Sequence, residues 1–303
     1  MRFLATALLA ATCCALAQQP GTRVLLDAHN CYPYEGRWSD RMDRALRLGL
    51  PIAIEQDLHW HAGRSVVAHD PPKTTDLPDL RSHFFERVRP LIEKALRENQ
   101  SQTWPLVVLN LDFKTNEPEH HAAVWRLLGE YEAWLSTAAR TAGGQPEPID
   151  WKPVLVLTGS PASQEAAFHD SVPVGGRLRL FGAALSEKGA LPAAATNYRR
   201  WWNNPWSVVE KGGQRKAGPW TARDERRLHT LAAHAHRQGL WLRFYTLNGH
   251  PMADAAARGW GDGYNFGSLA AARARWQAAI RAKVDFIATD QYEELAAVLA
   301  QPK

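Results

Sequence analysis

Cysteine is scarce in this chain, which has 3 in 303 residues, and two of them, Cys13 and Cys14, fall in its first stretch. If that stretch is removed, Cys31 stands alone, which excludes an intrachain disulfide and leaves core size as the source of stability. A lone cysteine is also more often a packing residue than a nucleophile. Long apolar runs are missing beyond residue 17, so no transmembrane segment is expected after the leader. Charge of one sign is missing too. The net charge is only +5, the basic residues are spread along the chain, and no block is dense enough for nucleic acid. Such a balance would at most help attract a small anionic substrate.

The opening residues 1–17 have a basic start, a short apolar middle and Ala15-Leu16-Ala17 as a small-residue cleavage site. They read as a secretion signal, with Gln18 as the new N-terminus and an exported, periplasmic or secreted protein as the consequence. A membrane anchor or a lipid on Cys13 is the competing reading, and residues 10–12 lack the leucine expected at the start of a lipidation box. The sequence is silent on oligomeric state.

At 303 residues with 45% hydrophobic content and 13 tryptophans, the chain can bury a large core. Apolar runs of strand length alternate with helix-length segments. Strands are expected at 23–27, 52–58, 106–112, 153–157, 177–181, 196–201, 240–247 and 284–288, with 64–69 as a hairpin arm. Helices are expected at 39–48 (capped by Ser39), 80–99, 117–139, 221–238 (stopped by Gly239), 269–282 and 292–300. Eight strands alternating with helices, with no composition break, predict a single α/β domain, a (β/α)8 TIM barrel.

Polar residues interrupt four of the strand ends. His29-Asn30 follows the first. Glu55 and Asp57 end the second, spaced i, i+2 and so on one face, roughly 7 Å apart along the chain. Asp112 and Lys114 repeat that spacing on the third, and Asp290 ends the last. His69 closes the hairpin arm. Two carboxylates held together at an apolar strand end repel unless a cation lies between them. All-oxygen ligation suits Mg²⁺ or Ca²⁺ better than zinc.

These residues resemble the superfamily that joins phosphatidylinositol-specific phospholipase C, glycerophosphodiester phosphodiesterases and sphingomyelinase D. Asp27-Ala28-His29-Asn30-Cys31-Tyr32-Pro33 is similar to the first histidine motif, in a form nearest phospholipase C and the altered-inheritance-of-mitochondria-like group. Glu55-Gln56-Asp57 resembles the metal motif, Val67-Ala68-His69-Asp70 the second histidine motif, and Asn110-Leu111-Asp112-Phe113-Lys114 the end of the third strand. Residues 240–248 and 284–290 are similar to the last two barrel strands of glycerophosphodiesterases. The resemblance covers residues 23–300 and is most specific in its first third. It departs at Asn30, where glycerophosphodiesterases carry arginine, at Asp112, where they carry glutamate, and over 196–216, which matches no motif.

The resemblance implies metal-dependent cleavage of a glycerophosphodiester or phospholipid, by water or by a neighbouring substrate hydroxyl. It implies a divalent ion on Glu55, Asp57, Asp112 and the Asn30 carbonyl oxygen, with His29 as proton acceptor, His69 as proton donor and Lys114 opposite the developing negative charge. Arg243 and Tyr245 on the seventh strand are candidate substrate contacts. So is Trp201, in an aromatic and cationic wall with Trp202, Trp206, Arg199 and Arg200. Two rivals remain: a zinc amidohydrolase-type barrel using His59 and His61, and a barrel that binds without catalysis. His120, His121, His229, His234 and His236 are expected on solvated helix faces.

Overall fold

The structure is a computed structural model that describes residues 18–34, 37–99, 101–186, 191–255 and 262–301. The leader expected at 1–17 lies outside these residues. Among the described residues there are eleven strands: β1 (Leu25–Ala28), β2 (Ile52–His61), β3 (Arg64–Val67), β4 (Val107–Phe113), β5 (Ala138–Ala139), β6 (Val154–Thr158), β7 (Arg177–Leu178), β8 (Phe181–Ala183), β9 (Arg199–Pro205), β10 (Trp241–Tyr245) and β11 (Phe286–Thr289). Their order is that of a (β/α)8 barrel, with β3 as an antiparallel hairpin arm on β2 and β5–β7 as a separate small ladder. Among the described residues no helix is long and apolar enough to cross a membrane.

The chain divides into two compact units. The first comprises Asn30–Ala183 and Ala195–Arg200. Here β2, β4, β6 and β8 lie side by side in parallel. Their buried aliphatics, Ile52, Ile54, Val107, Leu109, Val154 and Val156, are the β-branched and γ-branched residues that a sheet covered on both faces requires. The second comprises Gln19–His29, Ala184–Ala194 and Trp201–Lys303, with β1, β11 and β10 in parallel. The helix Ala222–Arg237 in this unit begins at a reciprocal cap. Thr221 Oγ1 accepts from the Asp224 N–H at 3.3 Å, and Asp224 Oδ2 accepts from the Thr221 N–H at 3.1 Å. Gly239 ends it at φ +74°, a conformation glycine adopts without strain.

Several boundaries differ from expectation. The first helix runs Arg41–Arg47, and its N-cap is Asp40 without a side-chain bond, so Ser39 does not cap it. The helix expected over 117–139 stops at Glu130 because Tyr131 and Trp134 turn inward, Tyr131 stacking on Phe85 at 4.1 Å. The strand expected over 177–181 splits into β7 and β8, and only β8 pairs with β6. The strand expected over 196–201 starts at Arg199. Thr196 Oγ1 accepts from the N–H groups of Tyr198 (3.3 Å) and Arg199 (2.9 Å), which closes a turn where a strand was expected.

The histidines expected on solvated faces are not all there. His120 is fully buried: its Nε2 lies 2.8 Å from Ser65 Oγ, its Nδ1 lies 3.0 Å from Thr115 Oγ1, and its ring stacks on Trp60. His121 is buried against Phe113 and Phe168, and His236 meets the Asp285 carboxylate at 2.9 Å. Burial depresses His120 and His83 from 6.5 to about 4 each. Both rings therefore stay neutral in the folded chain until about pH 4, whereas unfolded they take up protons from about pH 6.5. Stability should fall as pH drops through that window, by up to about 3 kcal/mol per ring, with no further loss from these groups below it. Urea denaturation between pH 7 and 4 measures this. His120→Asn should flatten part of the slope, and an unchanged slope would remove His120 from the account.

Candidate active site

The site in the first unit follows from strand register. In β2 the i, i+2 spacing puts Glu55 and Asp57 on one face, and β4 runs parallel beside it with Asp57 paired to Asp112. One carboxylate oxygen each from Glu55, Asp57 and Asp112 lies within 4.8 Å of the others. Lys114 follows Asp112 by two residues and so faces the same way. Its Nζ lies 2.6 Å from Asp112 Oδ2 and 3.1 Å from Asp57 Oδ2.

Asp57 is 1% exposed, and its Oδ1 has no hydrogen-bond partner. Burial, then the charges of Glu55 and Asp112, push its carboxyl well above the usual range, with Lys114 opposing them only in part. The same three carboxylates hold Lys114 above its ordinary value despite its burial. A buried carboxylate oxygen without a donor is costly unless a cation completes it. Glu55, Asp57 and Asp112 offer only oxygen, so they fit a hard divalent ion.

Asn30 belongs to this unit, at φ +53°, a conformation asparagine tolerates better than most residues. Its N–H donates to Glu55 Oε2 at 2.9 Å, fixing that carboxylate, and its Oδ1 accepts from Tyr32 Oη at 2.6 Å. The backbone oxygen of Asn30 accepts from Arg41 at 2.8 Å. His69 closes the hairpin arm with its side chain 42% exposed, and its Nδ1 lies 2.7 Å from Asp70 Oδ1. Tyr34 Oη holds the other Asp70 oxygen at 2.8 Å. That leaves Nε2 as the nitrogen His69 presents outward.

In the second unit, His29 is buried and its Nδ1 lies 2.7 Å from Asp290 Oδ1. The parallel pairing of Ala28 with Thr289 is what sets the next residues, His29 and Asp290, side by side. The Asp290 N–H and Thr289 Oγ1 both donate to Asn248 Oδ1, at 2.8 Å each, which fixes the backbone that carries the carboxylate. Tyr292 Oη donates to the His29 carbonyl at 2.7 Å. This partnership of His29 with Asp290 is absent from the sequence reading. Its only signal was that the first and last strands of a barrel pair.

The remaining candidate residues are mostly packed against their neighbours. Trp201 is fully buried, as are Trp202 and Trp206, so they do not form an open wall. Trp206 instead meets Phe244 edge-on at 5.4 Å. Arg199 is bound to Glu165 and the Ala183 carbonyl, and Arg200 to the Glu147 carbonyl at 2.7 Å. Arg243 is 1% exposed and paired with Asp27 through its Nε, with Nη1 on Asn203 Oδ1 at 3.1 Å, and Tyr245 stacks on His29 at 6.1 Å. His59 is buried and bonded to the His69 backbone, and neither it nor His61 joins a cluster of three metal-ligating groups among the described residues. The histidine pair of the amidohydrolase reading is thus not assembled into a zinc site. Cys31 is buried against Met42.

No family model matches the chain, and no curated protein matches it. Among solved structures, a glycerophosphoryl diester phosphodiesterase from Parabacteroides distasonis is similar at 14% identity and TM-score 0.49, over 96% of this chain and 91% of that one. A Plasmodium falciparum HPPK-DHPS triple mutant is similar at 10% identity and TM-score 0.48, over 94% of this chain and 49% of that one. A GH5-4 broad specificity endoglucanase from Clostridium acetobutylicum is similar at 8% identity and TM-score 0.46, over 94% of this chain and all of that one.

Proposed function

We propose that this protein is an exported, metal-dependent phosphodiesterase of the phospholipase C and glycerophosphodiesterase kind. The observation that carries the reading is the Glu55, Asp57 and Asp112 cluster with its buried, unpartnered Asp57 oxygen. The histidine motifs described above give it its direction toward phosphodiesters. A divalent ion, Mg²⁺ or Ca²⁺, held by Glu55, Asp57 and Asp112 beside Asn30, would polarise the phosphoryl oxygen and offset its charge.

The chain's own residues supply the rest. Asp290 fixes His29 through Nδ1, which leaves Nε2 to accept the proton of the attacking hydroxyl. Asp70 fixes His69 in the same way, which leaves its Nε2–H to protonate the departing alkoxide. The Lys114 ammonium, kept charged by its carboxylate neighbours, stabilises the charge that gathers as phosphorus becomes five-coordinate. In the chain His29 immediately precedes Asn30, whose N–H orients Glu55. The substrate in this reading is a small-molecule or lipid phosphodiester rather than a nucleic acid, since the positive charge is mild and dispersed along the sequence.

The test is hydrolysis of bis-p-nitrophenyl phosphate by the purified protein with Mg²⁺ or Ca²⁺, abolished by EDTA. Asp57→Asn should raise the ion concentration needed for half-maximal activity by about tenfold or more. It should also erase the rise in melting temperature that the ion gives the parent protein. Hydrolysis indifferent to EDTA, or none with either ion, would count against the reading.

A further inference from the structure

A cleft of about 620 Å³ opens beside His69 in the first unit. Most of its lining surface is apolar, with Pro33, Pro71, Pro72, Leu77 and Pro78 among the contributors, and Asp70, Lys73, Thr74 and Asp76 also line it. The 68–80 segment that forms most of it has no helix or strand, yet it is pinned. The Val67 N–H donates to the Pro78 carbonyl at 2.8 Å, Arg64 donates to the Leu77 carbonyl at 2.9 Å, and the Ala68 N–H donates to the Asp57 carbonyl at 2.9 Å. The last of these ties the cleft to the residue whose carboxylate is buried in the acidic cluster. Three prolines with fixed φ further reduce the entropy lost on binding.

We propose that this cleft receives the apolar part of the leaving alcohol, which makes the substrate a phosphodiester of a long-chain or otherwise bulky apolar alcohol. The inference rests on the phosphodiesterase reading above, in which His69 protonates the leaving oxygen. A donor must lie within hydrogen-bond reach of the atom it protonates, so the leaving alcohol has to extend along the surface His69 shares, and that surface is this cleft. Glycerol, with three carbons and three hydroxyls, would leave most of the space unfilled and bury little of the apolar lining. A volume in the range of pockets for drug-sized ligands, roughly 300–1,000 Å³, suits an alkyl or acyl chain instead. In the step itself, the phosphorus–oxygen bond to that alcohol breaks as one to water forms. The water proton goes to His29, and the proton of His69 goes to the departing alkoxide.

Two measurements on the full chain test this. The first is binding, without turnover, of monomeric dodecylphosphocholine against glycerophosphocholine by calorimetry. The dodecyl ester should bind at least tenfold more tightly, and Leu77→Glu or Pro72→Glu should remove the difference. Equal affinities, or a preference untouched in both folded variants, overturns the proposal. The second is product analysis with dodecylphosphocholine and the activating ion. Phosphocholine plus dodecanol supports the assignment, and choline plus dodecyl phosphate overturns it, because the chain would then sit on the side that does not leave. Failure of the phosphodiesterase reading is distinct: tight, cleft-dependent binding with no hydrolysis of any diester refutes the catalysis and keeps the cleft as an apolar-chain site.

Discussion

Replacing His29 by alanine is expected to lower kcat/KM for phosphodiester cleavage by about 10²–10⁴, or roughly 3–5 kcal/mol of transition-state stabilisation. The loss should be in kcat, because a proton acceptor acts only once the attacking oxygen becomes acidic. Asp290→Asn separates positioning from folding. The amide keeps the shape of the carboxylate but offers its own N–H groups, which favour the imidazole with its proton on Nε2. That is the wrong tautomer for a base working from Nε2. We expect at least a hundredfold loss in kcat for this variant, with an unchanged melting temperature and a shifted lower limb of the pH–rate profile. Near-parent turnover by His29→Ala would remove the acid–base assignment.

Glu210→Ala is expected to destabilise the fold by about 3–5 kcal/mol. Arg275 is buried at 2% exposure, with Nη2 on Glu210 Oε1 at 2.6 Å and Nε on Oε2 at 2.8 Å. Trp206 Nε1–H donates to the same carboxylate at 2.6 Å, and the guanidinium packs over Phe266. Truncating the acid leaves a buried cation with only the Ala271 and Gly218 carbonyls and no counter-charge, and an indole N–H without its carboxylate acceptor, which costs more than the intact pair contributes. Urea unfolding measures the loss. The double variant Glu210→Gln with Arg275→Met should recover part of it, since it removes the stranded charge. A loss below about 1 kcal/mol for Glu210→Ala would show that water reaches the pair. This network also gives the 201–216 part of the tryptophan-rich segment a structural role: Trp206 and Glu210 hold a buried ion pair in the core of the second unit.

The acidic cluster was legible because both of its determinants are local. Strand periodicity puts Glu55 with Asp57 and Asp112 with Lys114 on one face each, and parallel strands in register do the rest. The burial of the tryptophans is hidden from local pattern for the opposite reason. Trp201 and its neighbours are flanked by arginines that suggest a wet surface, but those arginines have carbonyl and carboxylate partners contributed by remote segments. His120 is a similar case: a polar residue on a helix looks solvated until Ser65, Thr115 and Trp60 close around it.

Local pattern is enough to set the alternation of strands and helices, hence the barrel, and the i, i+2 spacing of acidic and basic side chains at strand ends. Both depend only on the periodicity of the backbone. The tertiary structure decided which carboxylate serves which histidine, which oxygen of Asp57 lacks a partner, and which aromatic groups are buried. Those outcomes depend on contacts between residues as far apart as His29 and Asp290, and on how completely water is excluded around them. No local pattern encodes either.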